Sequence, residues 1–338
     1  MVAAEKTAER DLSRRLPAFL AAEEIAGGVV LISGPKGRFV ITAGISDRQS
    51  EEAVHEHTRF YAASTGKMFI AAGILSALDD GQIALDDPIS PFLATINGAH
   101  QMDRAGPVTI RQLLDHSSGL PEYLTDGFAE ASWNDPVRRW AVSDALAFAY
   151  YDRAIPAGEV PEYTNTNYLI LGHILASLDG SLEQSLQARV FDPAGMASTT
   201  LGAPNDPGPN FARGYDEDGR DVSAFGWNSI LGDGPAITTV GDLEAFARAL
   251  FGSEIILSTH ARNAMIAPSA LDPYYGLGTS VEEDQLGTWY GHSGGYDGFE
   301  ADLRYYPDHD LVLAYMVNGN QVSDVSFLDI AASWYARQ

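Results

Sequence analysis

The stretch Ser64-Thr65-Gly66-Lys67-Met68-Phe69-Ile70-Ala71-Ala72-Gly73-Ile74-Leu75-Ser76-Ala77-Leu78-Asp79-Asp80-Gly81 predicts a helix that opens on a serine and carries a lysine one turn later. Phe69, Ile70, Ile74, Leu75 and Leu78 recur at helical spacing, and Gly81 follows the last of them as a stop signal. The spacing of Ser64 and Lys67 puts their side chains on one helix face within roughly 5–6 Å. A serine hydroxyl is a weak nucleophile until a neighbour takes its proton, and a lysine in a cleft can be that neighbour. The helix amino terminus adds a favourable field for developing negative charge. The same four residues also read as a capping serine followed by a solvated lysine, so the surrounding chain has to decide.

On the amino-terminal side, residues 4–24 alternate charged and apolar positions at helical spacing, and Gly27-Gly28 ends the run. Val29-Val30-Leu31-Ile32 and Arg38-Phe39-Val40-Ile41-Thr42 then read as a hairpin around Gly34-Pro35-Lys36-Gly37. On the other side, residues 82–235 show helical segments near 109–115, 142–151, 166–179 and 182–191, with few strand signals. A helix near 239–251, strand-like runs at 276–281, 298–306 and 311–317, and a last helix within 321–337 close the chain. The layout predicts an α+β fold: an antiparallel sheet built from both chain ends and flanked by helices, with a mostly helical insertion. We read residues 1–338 as one domain, with an α/β region at 1–63 and 236–338, a mostly helical region at 64–235, and the active site at their interface.

Length and composition restrict the classes that remain. With 338 residues, 45% of them apolar, the chain can fill a substantial core, and it contains no cysteine. Disulfides, thiolate nucleophiles and iron–sulfur clusters are thereby excluded. A formal charge of −25, from 46 acidic and 21 basic residues, repels phosphate backbones and anionic headgroups. Nucleic acid and membrane surface are poor partners for such a field, whereas neutral or cationic small molecules suit it. The amino terminus carries acids where a leader would carry an apolar run, so a soluble cytoplasmic protein is expected.

Two further stretches carry chemistry. Glu162-Tyr163-Thr164-Asn165 offers a phenol and an amide just ahead of a helical run. A phenol beside an ammonium can shuttle a proton, and an amide can hold a carbonyl; the plainer reading is a core tyrosine with Asn165 capping the next helix. Gly291-His292-Ser293-Gly294-Gly295 ends a strand-like segment, where small residues let a backbone approach a ligand and aim an N–H group at an oxyanion. It also spells a nucleophile elbow around Ser293. An elbow serine needs a helix directly after it and then an acid and a histidine, but a strand-like run follows and only His309 remains.

Taken in order, Ser64-Thr65-Gly66-Lys67, Tyr163-Thr164-Asn165 and His292-Ser293-Gly294 resemble the three motifs of the β-lactamase and penicillin-binding-protein-like serine hydrolases, most of all their class C branch. Thr109-Ile110-Arg111-Gln112-Leu113-Leu114-Asp115-His116-Ser117-Ser118-Gly119-Leu120, Phe191-Asp192-Pro193-Ala194-Gly195-Met196 and Thr239-Val240-Gly241-Asp242-Leu243 resemble that family's scaffold signatures. The resemblance spans nearly the whole chain. It implies a β-lactamase/transpeptidase-like fold and an acyl-enzyme mechanism without cofactor or metal. Ser64 would attack a carbonyl, Lys67 and Tyr163 would move protons, and Asn165 would position substrate. The backbone N–H groups of Ser64 and Gly295 would form the oxyanion hole, with His292, Ser293 and Gly294 along the substrate wall.

The chain departs from true β-lactamases at the third motif, which in that family normally begins with a lysine that binds a carboxylate. No lysine follows Lys67. A histidine there resembles the esterase, D-aminopeptidase and DD-peptidase members, and it can be neutral at pH 7. The expected activity is therefore hydrolysis of an ester, amide or short peptide, as a β-lactamase-fold esterase or a D-amino-acid-specific peptidase. DD-carboxypeptidase, weak β-lactamase, acyltransferase and a non-catalytic binding module stand as alternatives. Tyr123 and Trp227 are expected substrate contacts, from a wider set of aromatics that includes Trp133, Tyr274 and Tyr275. Asp216-Glu217-Asp218-Gly219-Arg220-Asp221 lacks EF-hand spacing and reads as a solvated turn.

Overall fold

A computed structural model describes residues 2–99, 102, 107–136, 138–150, 155–202, 208–223, 231–234, 236–320, 323 and 325–338. The strands, in chain order, are β1 (Gly27–Gly34), β2 (Gly37–Asp47), β3 (Glu52–Ala53), β4 (Phe60–Tyr61), β5 (Thr200–Leu201), β6 (Ala236–Thr238), β7 (Ser280–Asp284), β8 (Gly287–Tyr296), β9 (Phe299–Tyr306) and β10 (Leu311–Val317). The helices are α1 (Val2–Ala22), α2 (Lys67–Asp79), α3 (Ser90–Leu93), α4 (Ile110–Leu114), α5 (Asp126–Asn134), α6 (Val142–Leu146), α7 (Asn165–Asp179), α8 (Leu182–Leu186), α9 (Asp192–Ala194), α10 (Val240–Phe251), α11 (Thr259–Ile266) and α12 (Phe327–Ala336). No helix among the described residues is long and apolar enough to cross a membrane.

The main sheet is antiparallel in the order β3-β2-β1-β10-β9-β8-β7, with β1 and β10 joining the two chain ends at its centre. Both of these strands are buried on both faces, which explains their unbroken apolar runs. Alternation sorts them: Val29, Leu31, Val312, Ala314 and Met316 face one core, while Val30, Ile32, Leu311, Leu313 and Tyr315 face the other. The second core is closed by Leu12, Leu16 and Leu20 of α1 and by Phe327, Leu328, Ala331 and Trp334 of α12. The first contains α2 and α10, then continues through the helical insertion. α2 is apolar on nearly every side, with Met68 to Leu75 all buried, as befits a helix wrapped by other elements.

Threonines and serines start many of the helices by accepting an orphan N–H: Thr109 for α4, Thr164 for α7, Thr239 for α10 and Ser258 for α11. Asn165 is thus the first helical residue of α7, and Thr164 is its cap. Three local expectations shift. The strand expected at 276–281 begins at Ser280, because Gly276 donates to the Thr279 carbonyl and Leu277 to that of Met265, closing a turn against α11. The helix expected over 142–151 ends at Leu146. Helices α5 and α11, not foreseen in the sequence, form behind Thr125 and Ser258 caps. The acidic stretch at 216–221 is a turn in which Arg220 Nε donates to Asp216 at 2.8 Å.

Candidate active site

The chain passes from β4 through Ala63, held at φ +46°, into a 3-10 turn over Ala63–Gly66, and α2 continues from Lys67. A non-glycine residue in this left-handed region stores backbone strain immediately before Ser64. Thr65 Oγ1 lies 3.1 Å from the carbonyl of His292 and 3.3 Å from that of Ala301, pinning the turn onto β8 and β9. A Cβ on Gly294 would stand 2.5 Å from the Ser64 nitrogen, so glycine there lets β8 lie directly under the serine. β7 pairs with β8 only as far as Gly291; from His292 to Tyr296 β9 is the paired neighbour among the described residues.

Lys67 is buried, and its Nζ lies 2.9 Å from Ser64 Oγ, 2.7 Å from Asn165 Oδ1 and 2.8 Å from the Asp233 carbonyl. Neither of the latter two partners carries a proton to donate. A neutral amine would therefore spend two N–H groups on them and aim its lone pair at Ser64, and an ammonium would donate to all three. One geometry serves both states of a base. Asn165 is locked in turn by Glu122, whose Oε2 accepts the Asn165 backbone N–H at 2.8 Å and its Nδ2 at 3.0 Å. Flanking Asp233, Gly234 sits at φ +140°, and a Cβ there would meet the Ala63 carbonyl at 2.2 Å; this close approach brings the Asp233 carbonyl to the lysine.

Tyr163 is 47% exposed, its ring centroid 5.1 Å from Lys67 Nζ and its plane stacked on His116 at 4.2 Å. His116 is buried, and its Nδ1 accepts the Thr164 N–H at 3.2 Å. Burial, and then the Lys67 charge, push its pKa well below the ordinary 6.5. His292 is held the same way: burial first and Lys67 second lower it to about 4. Its Nδ1 bonds the Ser293 carbonyl, which only accepts, so Nδ1 carries the proton and Nε2 takes the Tyr275 hydroxyl at 3.0 Å. The head of the third motif is uncharged at neutral pH.

The structure brings Ser64, Lys67, Tyr163, Asn165, His292 and Gly294 together, with Gly295 next along the strand. Ser293 lies on β8 without a following helix, and it opens into a cleft of about 270 Å³ shared with Asp302, Tyr315 and Ser326. Tyr123, expected at the substrate, is 1% exposed instead: its hydroxyl donates to the Asp233 carboxylate beneath the site. Its bulk and polarity suit a buried bridge because the phenol finds a partner there. Trp227 lies outside the described residues. Glu122 and Asp233 escaped the sequence reading, which holds His116 only within a scaffold stretch and Tyr275 only among the wider aromatics; a Gly-Asp-Gly triplet at 232–234 is the one local hint of Asp233. Beside Gly295 a pocket of about 390 Å³ opens between α5 and the end of β8, lined by Leu124, Phe128, Ser132, Trp133, Tyr296 and Asp297.

The Beta-lactamase family model matches residues 12–333. The chain belongs to the Beta-lactamase family. Among curated relatives of this family, penicillin-binding protein 4* of Bacillus subtilis (strain 168) is 26% identical over 309 residues, covering 81% of this chain, which spans 64% of that protein's length. A D-stereospecific amidohydrolase from Streptomyces sp. superposes with a TM-score of 0.78 at 25% identity, covering 93% of this chain and 94% of the other. D-amino acid amidase from Ochrobactrum anthropi SV3 gives a TM-score of 0.77 at 23% identity over 97% of both chains, a likeness of fold. The β-lactamase fold accounts for the seven-stranded sheet between helical layers.

Proposed function

We propose that the chain is a serine hydrolase that forms an acyl-enzyme on Ser64 and acts on esters or on amides of D-amino acids. The observation that carries this is the Lys67 amine, 2.9 Å from Ser64 Oγ and fixed by Asn165 and Asp233. In this reading Lys67 takes the Ser64 proton, and Tyr163, at the exposed mouth of the site, relays a proton to the leaving group. The N–H groups of Ser64 and Gly295 stabilise the tetrahedral oxyanion. The pocket beside Gly295 takes an apolar acyl or side-chain group.

His292 in place of a cation argues for substrates that need no carboxylate, and the acidic surface favours neutral or cationic ones. Both features rank β-lactam hydrolysis below ester or D-amino-amide hydrolysis, and the likeness to a D-stereospecific amidohydrolase supports the latter. The test is parallel turnover of p-nitrophenyl butyrate, nitrocefin and D-alanine p-nitroanilide by wild type and Ser64→Ala. Ester or anilide turnover that disappears with Ser64, beside negligible nitrocefin hydrolysis, is expected. Equal inertness of both proteins on all three would favour a non-catalytic module.

A further inference from the structure

Asp233 is fully buried, its carboxylate receives the Tyr123 hydroxyl, and its second oxygen has no hydrogen-bond partner among the described residues. A carboxyl removed from water with one oxygen unsatisfied costs stability, so its presence calls for a reason. Its own backbone carbonyl is 2.8 Å from Lys67 Nζ, and the lysine charge acts on the carboxyl directly. Resting on the reading of Ser64 as the acylated nucleophile, we propose that Asp233 is a positioning residue for Lys67. Its carbonyl orients the amine, and its buried carboxylate stabilises the positive charge that Lys67 acquires. In acylation, Ser64 Oγ bonds to the electrophilic carbon, the carbonyl oxygen takes the negative charge, and the hydroxyl proton passes to Nζ, creating an ammonium. A fixed carboxylate near that ammonium lowers the barrier in the way a buried acid supports an imidazolium in other relays.

The groups facing this carboxyl are Lys67 on α2, Glu122 and Tyr123 before α5, and Tyr296 at the end of β8. Burial lifts its pKa from 3.8 to about 6, against the opposing pull of Lys67 and of the Tyr123 hydrogen bond. The histidines close to Lys67 are held neutral, His292 down to about 4, so neither supplies an ionisation near 6. Because the folded pKa is above the unfolded one, the stabilisation from the protonated carboxyl is complete below 3.8 and is lost as pH rises through about 6. At pH 8 the folded protein therefore holds an unfavourable buried charge, retained for what it does to Lys67.

The experiment is the rate of Ser64 labelling by a fluorophosphonate, followed by intact mass from pH 5 to 9, in wild type, Asp233→Asn and Tyr123→Phe. Phosphonylation uses the same step: Oγ bonds to phosphorus, fluoride leaves, and the proton passes to Lys67. Wild-type labelling should fall as pH drops through about 6. Asp233→Asn should label roughly tenfold or more slowly at pH 8, lose that limb, and melt at or above the wild-type midpoint. Tyr123→Phe should move the limb upward, since it removes a bond that favours the carboxylate. A merely structural Asp233 would give a lower melting midpoint with an unmoved limb, and that result overturns the proposal. Wild-type rate and limb in Asp233→Asn overturn it too, and should that variant not fold, an unmoved limb in Tyr123→Phe does the same. Folded wild type that never labels would instead overturn the nucleophile reading, and the Asp233 role with it.

Discussion

Tyr275 donates its hydroxyl proton to Nε2 of His292 at 3.0 Å, while the other ring nitrogen serves the Ser293 carbonyl. The imidazole at the head of the third motif is saturated by protein partners and, with a pKa lowered to about 4, is neutral throughout the physiological range. It offers no charge to a substrate carboxylate. A p-nitrophenyl ester with a free terminal carboxylate should therefore have kcat/KM about tenfold or more below its uncharged analogue of equal length, with the gap narrowing in high salt as the −25 field is screened. Equal or better turnover of the anionic ester would show that another group binds the carboxylate.

Ser64 and Ser293 make opposite predictions. Ser64→Ala should abolish fluorophosphonate labelling, and Ser293→Ala should retain most of it, because Ser293 opens on the cleft with Asp302 and Ser326. Peptide mass mapping of the adduct decides, and a label on Ser293 would restore the nucleophile-elbow reading.

Lys67→Ala should lower kcat by ~10²–10⁴-fold with KM changed only a few-fold, as expected for loss of a group that moves a proton in the transition state. Lys67→Arg should not restore the rate, since a guanidinium stays protonated. Steady-state kinetics on the best chromogenic ester checks both, and a variant that loses affinity alone would remove Lys67 from the base role.

The strained turn can be probed from both sides. Ala63→Gly should raise stability by about 0.5–1 kcal/mol, because relief of the left-handed conformation at φ +46° exceeds the extra chain entropy of glycine. The urea midpoint measures it. Gly294→Ala should keep the fold yet cut the labelling rate by ~10²-fold or more, since its Cβ would stand 2.5 Å from the Ser64 nitrogen and displace the nucleophile. Circular dichroism beside the labelling assay separates misfolding from misplacement.

Much of this architecture was legible because it is written in local patterns. Val29 to Ile32 and Leu311 to Val317 read as strands because side chains alternate between two apolar cores, and an unbroken apolar run satisfies both faces at once. The α2 helix was readable from its spacing and its glycine stop, although its first turn is 3-10, since Thr65 is drawn toward carbonyls on β8 and β9. Helices α5 and α11 were missed because their caps, Thr125 and Ser258, are common residues with no strongly periodic apolar stripe behind them.

The chain by itself determined that Ser64 and Lys67 share a helical turn, that no lysine follows to bind a carboxylate, and that a sheet is assembled from both ends. These follow from chemistry within a few residues or from composition. Only the tertiary structure decided the surroundings of the lysine amine. Asn165 is 98 residues from Lys67 and Asp233 is 166 residues away, and no local pattern links positions so far apart. Tyr123 shows the same limit: an aromatic near a site reads as a substrate contact until the fold buries it against Asp233. Burial also made His292 neutral, because desolvation depends on everything packed around a ring and not on its neighbours in sequence.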